Sequence, residues 1–217
     1  KVDWYDVVKW CNARSEKDRL TPCYYVSTNL SDDASIYRTG THRPVNSHVN
    51  WSANGYRLPT EAEWERAARG GAEGRLFPWA TDKISKTRAN YFSNTIAYQY
   101  DEGPDGFHSA YKTGDEPYTN PVGALKSGRN AYGLYDMAGN VSEWCWDWYS
   151  RTYYTTNNNP VNNPRGPNAG TVRIVRGGSW LYLAPYQMCS NRDNRAPKTA
   201  LNTIGFRCVR SLRSLDY

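Results

Sequence analysis

Hydrophobic spacing along the chain predicts few regular elements. Residues 2–17 place Trp4, Val7, Val8 and Cys11 at helical spacing and end in a charged turn. Leu20–Val26 reads as a short strand after a turn, and residues 27–54 as polar loop rich in Ser, Asn and Asp. A second helix starts at Thr60, whose hydroxyl and Glu63 three residues on form a capping box. Ala62, Trp64, Ala67 and Ala68 give it a packing face, and Gly70-Gly71 stops it. Residues 77–130 carry Gly, Pro, Asn and aromatics without period, and so long an irregular stretch calls for a function or an ion to order it. Strand patterns return at Val141–Tyr149 and Thr171–Val175, separated by an Asn/Pro-rich loop at 155–168, and again at Gly205–Val209. The pattern predicts an α+β, loop-rich domain.

The segment from Arg173 to Arg207 breaks the rule that each stretch has one period. Arg176-Gly177-Gly178-Ser179-Trp180 opens it and Ile204-Gly205-Phe206-Arg207 closes it. Between them lie Leu181-Tyr182-Leu183 and Pro185-Tyr186-Gln187-Met188, apolar and aromatic but aperiodic. A core strand would account for Leu181 and Leu183 alternating with Tyr182, but Pro185 argues against a central strand. A displayed surface accounts for both, with Tyr and Trp as large side chains that lose little rotamer entropy on binding. Trp180, Leu181, Tyr182, Leu183, Pro185, Tyr186, Thr199, Leu201, Asn202 and Thr203 are the candidate ligand-binding residues. Gly177, Gly178 and Arg207 are expected to support them from beneath.

Composition narrows the classes. The 217 residues suit a single domain over 1–217 with a sizeable core. A net charge of +6 without any Lys/Arg cluster argues against nucleic acid. No run approaches the roughly 20 apolar residues of a membrane span. The 18 Tyr and 9 Trp are available for core or for contact. Cys11, Cys23, Cys145, Cys189 and Cys208 have no metal-ligand spacing; a Cys11–Cys23 bridge is one option and buried free thiols the other. The start, without Met or signal sequence, reads as a processed or truncated N-terminus.

Four ordered motifs carry a resemblance. They are Gly55-Tyr56-Arg57-Leu58-Pro59-Thr60-Glu61-Ala62-Glu63-Trp64-Glu65, Gly133-Leu134-Tyr135-Asp136-Met137-Ala138-Gly139-Asn140-Val141-Ser142-Glu143-Trp144, Arg176-Gly177-Gly178-Ser179-Trp180 and Gly205-Phe206-Arg207. Together they resemble the formylglycine-generating-enzyme (sulfatase-modifying factor) family over nearly the whole chain. The resemblance implies a variant of the C-type lectin fold whose first strands lie upstream of Val2. Its oxidase members hold copper with two cysteines five residues apart, and the matching positions here are Tyr182 and Gln187. Neither supplies the soft thiolate that Cu(I) needs, so no copper is expected and catalysis is not expected. Cys189 alone cannot replace the pair. The family's iron-dependent sulfoxide chemistry uses a histidine cluster, whereas His42, His48 and His108 are all this chain has.

The Gly-Gly-Ser-Trp opening and Gly-Phe-Arg close also resemble the variable proteins of diversity-generating retroelements. That branch implies a non-catalytic receptor- or adhesin-like protein with a hypervariable region at 173–207. Diversification there acts on adenines in codons of the AAC/AAT type, which can become Leu, Tyr, Pro, Thr, Asn, Asp, Ser or Ala but not Gln, Met or Lys. Gln187, Met188 and Lys198 thereby fall outside the diversified set. The ligand would be a protein or surface molecule, and the location extracellular or at a cell surface, with a lipid anchor upstream as one route. A copper-dependent oxidase is the alternative. Structural Ca²⁺ is also implied by the resemblance. One site matches Asp136, Gly139, Val141 and Glu143; a second matches Asn90, Tyr91, Asp105 and Phe107, with hard oxygen ligands in both.

Overall fold

The computed structural model describes residues 1–156 and 162–211. Helix α1 spans Trp4–Lys17, and Asp3 and Asp6 close a reciprocal capping box at its start. Its inner face, Trp4, Val7, Val8 and Cys11, is wholly buried. A two-residue strand β1, Tyr56–Arg57, leads into helix α2, Glu61–Arg69. The Thr60–Glu63 capping box forms as expected, and Gly70 ends the helix in the left-handed region at φ 58°. Asn130 then satisfies the last carbonyls of α2, its amide donating to Ala67 and Ala68.

The central strand β2, Ser142–Trp148, is buried along its whole length. It pairs antiparallel with β3, Arg173–Arg176, which pairs antiparallel with β4, Asp193–Arg195. On its other side β2 pairs parallel with β5, Ile204–Gly205, giving the order β4-β3-β2-β5. The last strand, β6 at Val209–Arg210, leaves this sheet and pairs with β1. The single strand expected at Gly205–Val209 is thus two, because Phe206–Cys208 crosses from one sheet to the other. The strand expected at Leu20–Val26 is reduced to isolated bridges from Tyr24 to Val49 and from Tyr25 to Ile36. The polar strand β4 carried no alternation to announce it. Part of the loop read at 155–168 lies outside the described residues, as do the final residues of the chain.

Among the described residues three buried clusters fill the interior. One joins α1 to Tyr24, Leu58, Trp144 and Trp146, and a second gathers Phe77, Trp79, Ile84, Tyr91 and Ala184. The third joins Trp64 and Ala68 of α2 to Met137, Cys145, Ile174 and Cys189. All five cysteines are free, and all but Cys208 are fully buried, so the buried-thiol reading holds over the Cys11–Cys23 bridge. Among the described residues no helix is long and apolar enough to cross a membrane.

The core also contains charge. Arg173 lies 3.5 Å from the Trp148 ring centroid and 3.8 Å from that of Trp4, and burial pulls its guanidinium down to about 9. Asp147 accepts the Glu61 N–H at 2.7 Å, a carboxylate at the N-terminus of α2, while its other oxygen has no partner. Burial pushes the Asp147 carboxyl up to about 7. The folded state therefore binds this proton where the unfolded chain has released it, and stability falls as pH rises from about 4 to 7. Asp147→Asn, which keeps an acceptor for Glu61, is expected to flatten that slope and to raise the thermal midpoint near pH 8 by on the order of 5 °C. Thermal scans of both proteins across that range check it; an unchanged slope would contradict the assignment.

Candidate binding surface

The Arg173–Arg207 segment leaves β3 through two left-handed glycines, Gly177 at φ 90° and Gly178 at φ 66°. The Gly177 carbonyl accepts the Gly139 N–H at 2.7 Å, fixing the exit to the turn before β2. Ser179 and Trp180 are completely buried. Trp180 donates its backbone N–H to the Asn140 carbonyl at 2.9 Å and its indole N–H to the Asn202 carbonyl at 3.4 Å. Its ring packs against Tyr118 and Phe107, at centroid distances of 5.2 and 5.8 Å.

Beyond Trp180 some side chains turn outward. Leu181 is 41% exposed, Tyr186 45% and Leu201 40%, while Tyr182, Leu183, Pro185, Thr199 and Asn202 are half-buried. The Tyr182 and Tyr186 rings sit side by side at 5.5 Å, and Arg195 on β4 donates to the Tyr182 hydroxyl at 2.9 Å. Because the Trp180 indole holds Asn202, the 181–187 and 199–202 stretches are drawn together. The segment is no strand: a turn of 3-10 helix covers Ala184–Gln187, with Pro185 in its first turn where a missing N–H costs nothing.

Two of the expected contact residues are placed otherwise. Trp180 is the buried prop between the two stretches. Thr203 is 3% exposed, and its carbonyl accepts the Ser142 N–H at the edge of β2. Both serve the frame, because the indole and the ladder bond are satisfied inward.

Gln187 shows how that frame is held. It is fully buried, and its amide nitrogen reaches the carbonyls of Tyr182 at 2.9 Å and of Ser179 and Leu183 at 3.3 Å. Gly178 makes room for it, since a Cβ there would lie 2.3 Å from the Gln187 Oε1. Tyr182 and Gln187 thus present a phenol and an amide at the positions where the resemblance places a thiol pair. Cys189 sits in the core beside Trp64 and Cys145, and burial pushes its thiol up to about 11, away from the thiolate a metal binds. Among the described residues no group of three or more His, Cys, Asp and Glu is placed to hold a metal ion.

The Asp136, Gly139, Val141 and Glu143 quartet lines one cavity of about 160 Å³ together with Arg207. Asp136 accepts from the Gly123 N–H at 2.7 Å and the Asn120 amide at 3.2 Å. Glu143 accepts from Trp64 at 2.7 Å and from the Arg207 guanidinium at 2.5 and 2.7 Å. The quartet thus brings hard oxygens of the kind Ca²⁺ takes to one cavity, with both Asp136 oxygens already accepting from Asn120 and Gly123 and both Glu143 oxygens already on Arg207. The second quartet does not fit. Asp105 is exposed and accepts the Thr95 N–H, the Asn90 amide donates to Tyr118, and the Phe107 carbonyl is taken by the Lys86 ammonium at 2.6 Å.

Sequence reasoning missed Arg195 and Lys86, which contact their partners only through the tertiary fold. It also missed a cleft of about 690 Å³ beside α2, lined by Glu61, Glu65, Arg69, Tyr132, Tyr154 and Arg192. The paired charges there, Arg192 on Glu61 at 2.6 Å and Arg69 on Glu65 at 2.7 Å, are consistent with a structural lining.

Residues 1–212 match the family described as "Sulfatase-modifying factor enzyme 1-like domain". The chain is 39% identical over 176 residues to a formylglycine-generating enzyme of Thermomonospora curvata, an alignment covering 75% of this chain and 54% of that protein. It is 36% identical to the serine/threonine-protein kinase pkn1 of Chlamydia pneumoniae, over 76% of this chain and 23% of the kinase. Among solved structures it is similar to Treponema denticola variable protein 1, with a TM-score of 0.69 and 31% identity over 95% of this chain and 68% of that one. The chain therefore spans about half or less of the length of these two curated relatives.

Proposed function

We propose, for a chain that belongs to the sulfatase-modifying factor enzyme 1-like family, a binding role in which a fixed frame displays interchangeable side chains. The observation that carries this reading is the sorting within one segment. Gly177, Gly178, Ser179, Trp180, Gln187 and Thr203 are packed inward, while Leu181, Tyr186 and Leu201 face solvent and Tyr182 lies half-buried beside them. A surface of one exposed and one half-buried tyrosine with exposed leucines, on a rigid support, suits recognition of a protein or another surface molecule. Similarity to a variable protein supports diversification of these positions, and with it a place on the outside of a cell. A Ca²⁺ ion at Asp136, Gly139, Val141 and Glu143 would brace the turn from which Gly139 holds Gly177.

The alternative is a copper-dependent oxidase, favoured by 39% identity to a protein named formylglycine-generating enzyme. The two readings part on one assay. Loaded with Cu(I) and given a cysteine-containing peptide, the chain is expected to consume no oxygen above the metal-only control, since a phenol and an amide stand at the thiol positions. Oxygen uptake proportional to protein, with loss of the peptide thiol, would overturn the binding reading.

A further inference from the structure

We infer that Lys86 is a resident cation: its ammonium fills the carbonyl cage of the 105–107 turn and makes that turn independent of a metal ion. Lys86 is 5% exposed. Its Nζ lies 2.6 Å from the Gly106 carbonyl, 2.6 Å from that of Phe107 and 3.4 Å from that of Asp105. An ammonium has three donors and no acceptor, so three carbonyls satisfy it completely. The backbone of Lys86 is tied to the same region, its N–H donating to Gly103 at 3.3 Å and its carbonyl meeting His108 Nε2 at 2.9 Å. Asp101, 5% exposed, gathers Tyr91, Ser93, Asn94 and the Gly103 N–H around its two oxygens and supplies negative charge nearby.

A divalent ion reaching for the Phe107 carbonyl would meet this ammonium at van der Waals range, where like charges in a buried setting repel strongly. One oxygen of Asp105 is also engaged, accepting the Thr95 N–H at 2.7 Å. The turn matters because of what rests on it. Ser93 and Gly106 exchange two backbone hydrogen bonds of 2.9 Å, and the Phe107 ring packs on Phe92 at 4.8 Å and on Trp180 at 5.8 Å. Phe92 in turn donates its N–H to the Tyr182 carbonyl at 3.1 Å. Only two residues, Phe107 and Phe92, therefore lie between the fixed charge at Lys86 and the displayed tyrosine.

The test uses the whole chain, stripped of metal, with bound calcium counted by titration calorimetry and the thermal midpoint read in EDTA and in calcium. Asp105→Asn, an exposed change, is expected to leave calcium stoichiometry and affinity as in the unmodified chain; loss of a bound ion on that substitution would overturn the inference. Lys86→Met, of similar length but uncharged, is expected to lower the midpoint by about 5–10 °C in EDTA and in calcium alike. A midpoint equal to that of the unmodified chain would overturn it as well. Both readouts are independent of any ligand at the tyrosine surface, so they fail or succeed separately from the binding proposal.

Discussion

Trp180→Ala is expected to cost about 3–5 kcal/mol, the range for removing a fully buried aromatic, and to lower the thermal midpoint by about 10 °C or more. Tyr186→Ala and Leu201→Ala, at side chains 45% and 40% exposed, are expected to move it by no more than about 2 °C. The ratio between these effects measures the separation of frame from display. For a binder selected against the unmodified chain and mapped to this surface, Tyr186→Ala is expected to weaken binding by about 30-fold, the scale of an aromatic hot spot. Tyr182→Ala should do the same with a small stability cost, because Arg195 loses the hydroxyl it holds. Differential scanning calorimetry beside binding titrations decides it. A fall in midpoint at Tyr186 as large as that at Trp180 would place the tyrosine in the core.

The second large effect belongs to Gln187. Alanine there removes the amide that gathers the Ser179, Tyr182 and Leu183 carbonyls, which keep only their backbone donors from Tyr182, Phe92 and Tyr186, and empties the buried space the side chain fills. Each hydrogen bond lost is worth about 0.5–1.5 kcal/mol. The Gln187 Oε1 itself has no partner, so part of that cost is already present, and a net loss of about 2–3 kcal/mol is expected. Gln187→Cys, which returns the residue type of the oxidase position, is expected to lose as much, because a thiol is too short and too weak a donor to reach three carbonyls. Thermal scans of both variants check this; a cysteine variant as stable as the original would show that the amide is not the fastener described above.

The sequence was most informative where structure is local. The Thr60–Glu63 cap, the Gly70 stop and the inner face of α1 depend on residues within one or two turns, and they stand as expected. The frame of the 173–207 segment was also legible, since its motifs repeat a known pattern. Gln187 illustrates this. Its long amide is buried beneath the displayed side chains, next to the Gly178 of the opening motif. The limits were long-range. Phe206–Cys208 breaks what reads as one strand because Arg207 is drawn to Glu143, 64 residues earlier, while Val209 and Arg210 pair with β1. Trp180 and Thr203 look like contact residues because nothing in their own neighbourhood reveals the Phe107, Tyr118 and Ser142 partners that turn them inward. Lys86 sits in a polar stretch with no period, and its role exists only once residues 105–107 fold back over it.

The sheet order has one last consequence. The excursion from Gly177 to Thr203 departs from the strand on one side of β2 and comes home as the strand on its other side, so both of its feet stand on a single buried bar. What happens at the exposed positions of such a handle, Leu181, Tyr186 and Leu201, reaches the bar only weakly. Adding a residue or two at such exposed positions alters the closure entropy only logarithmically with length. Novelty can accumulate in the arch while the bar beneath it stays the same.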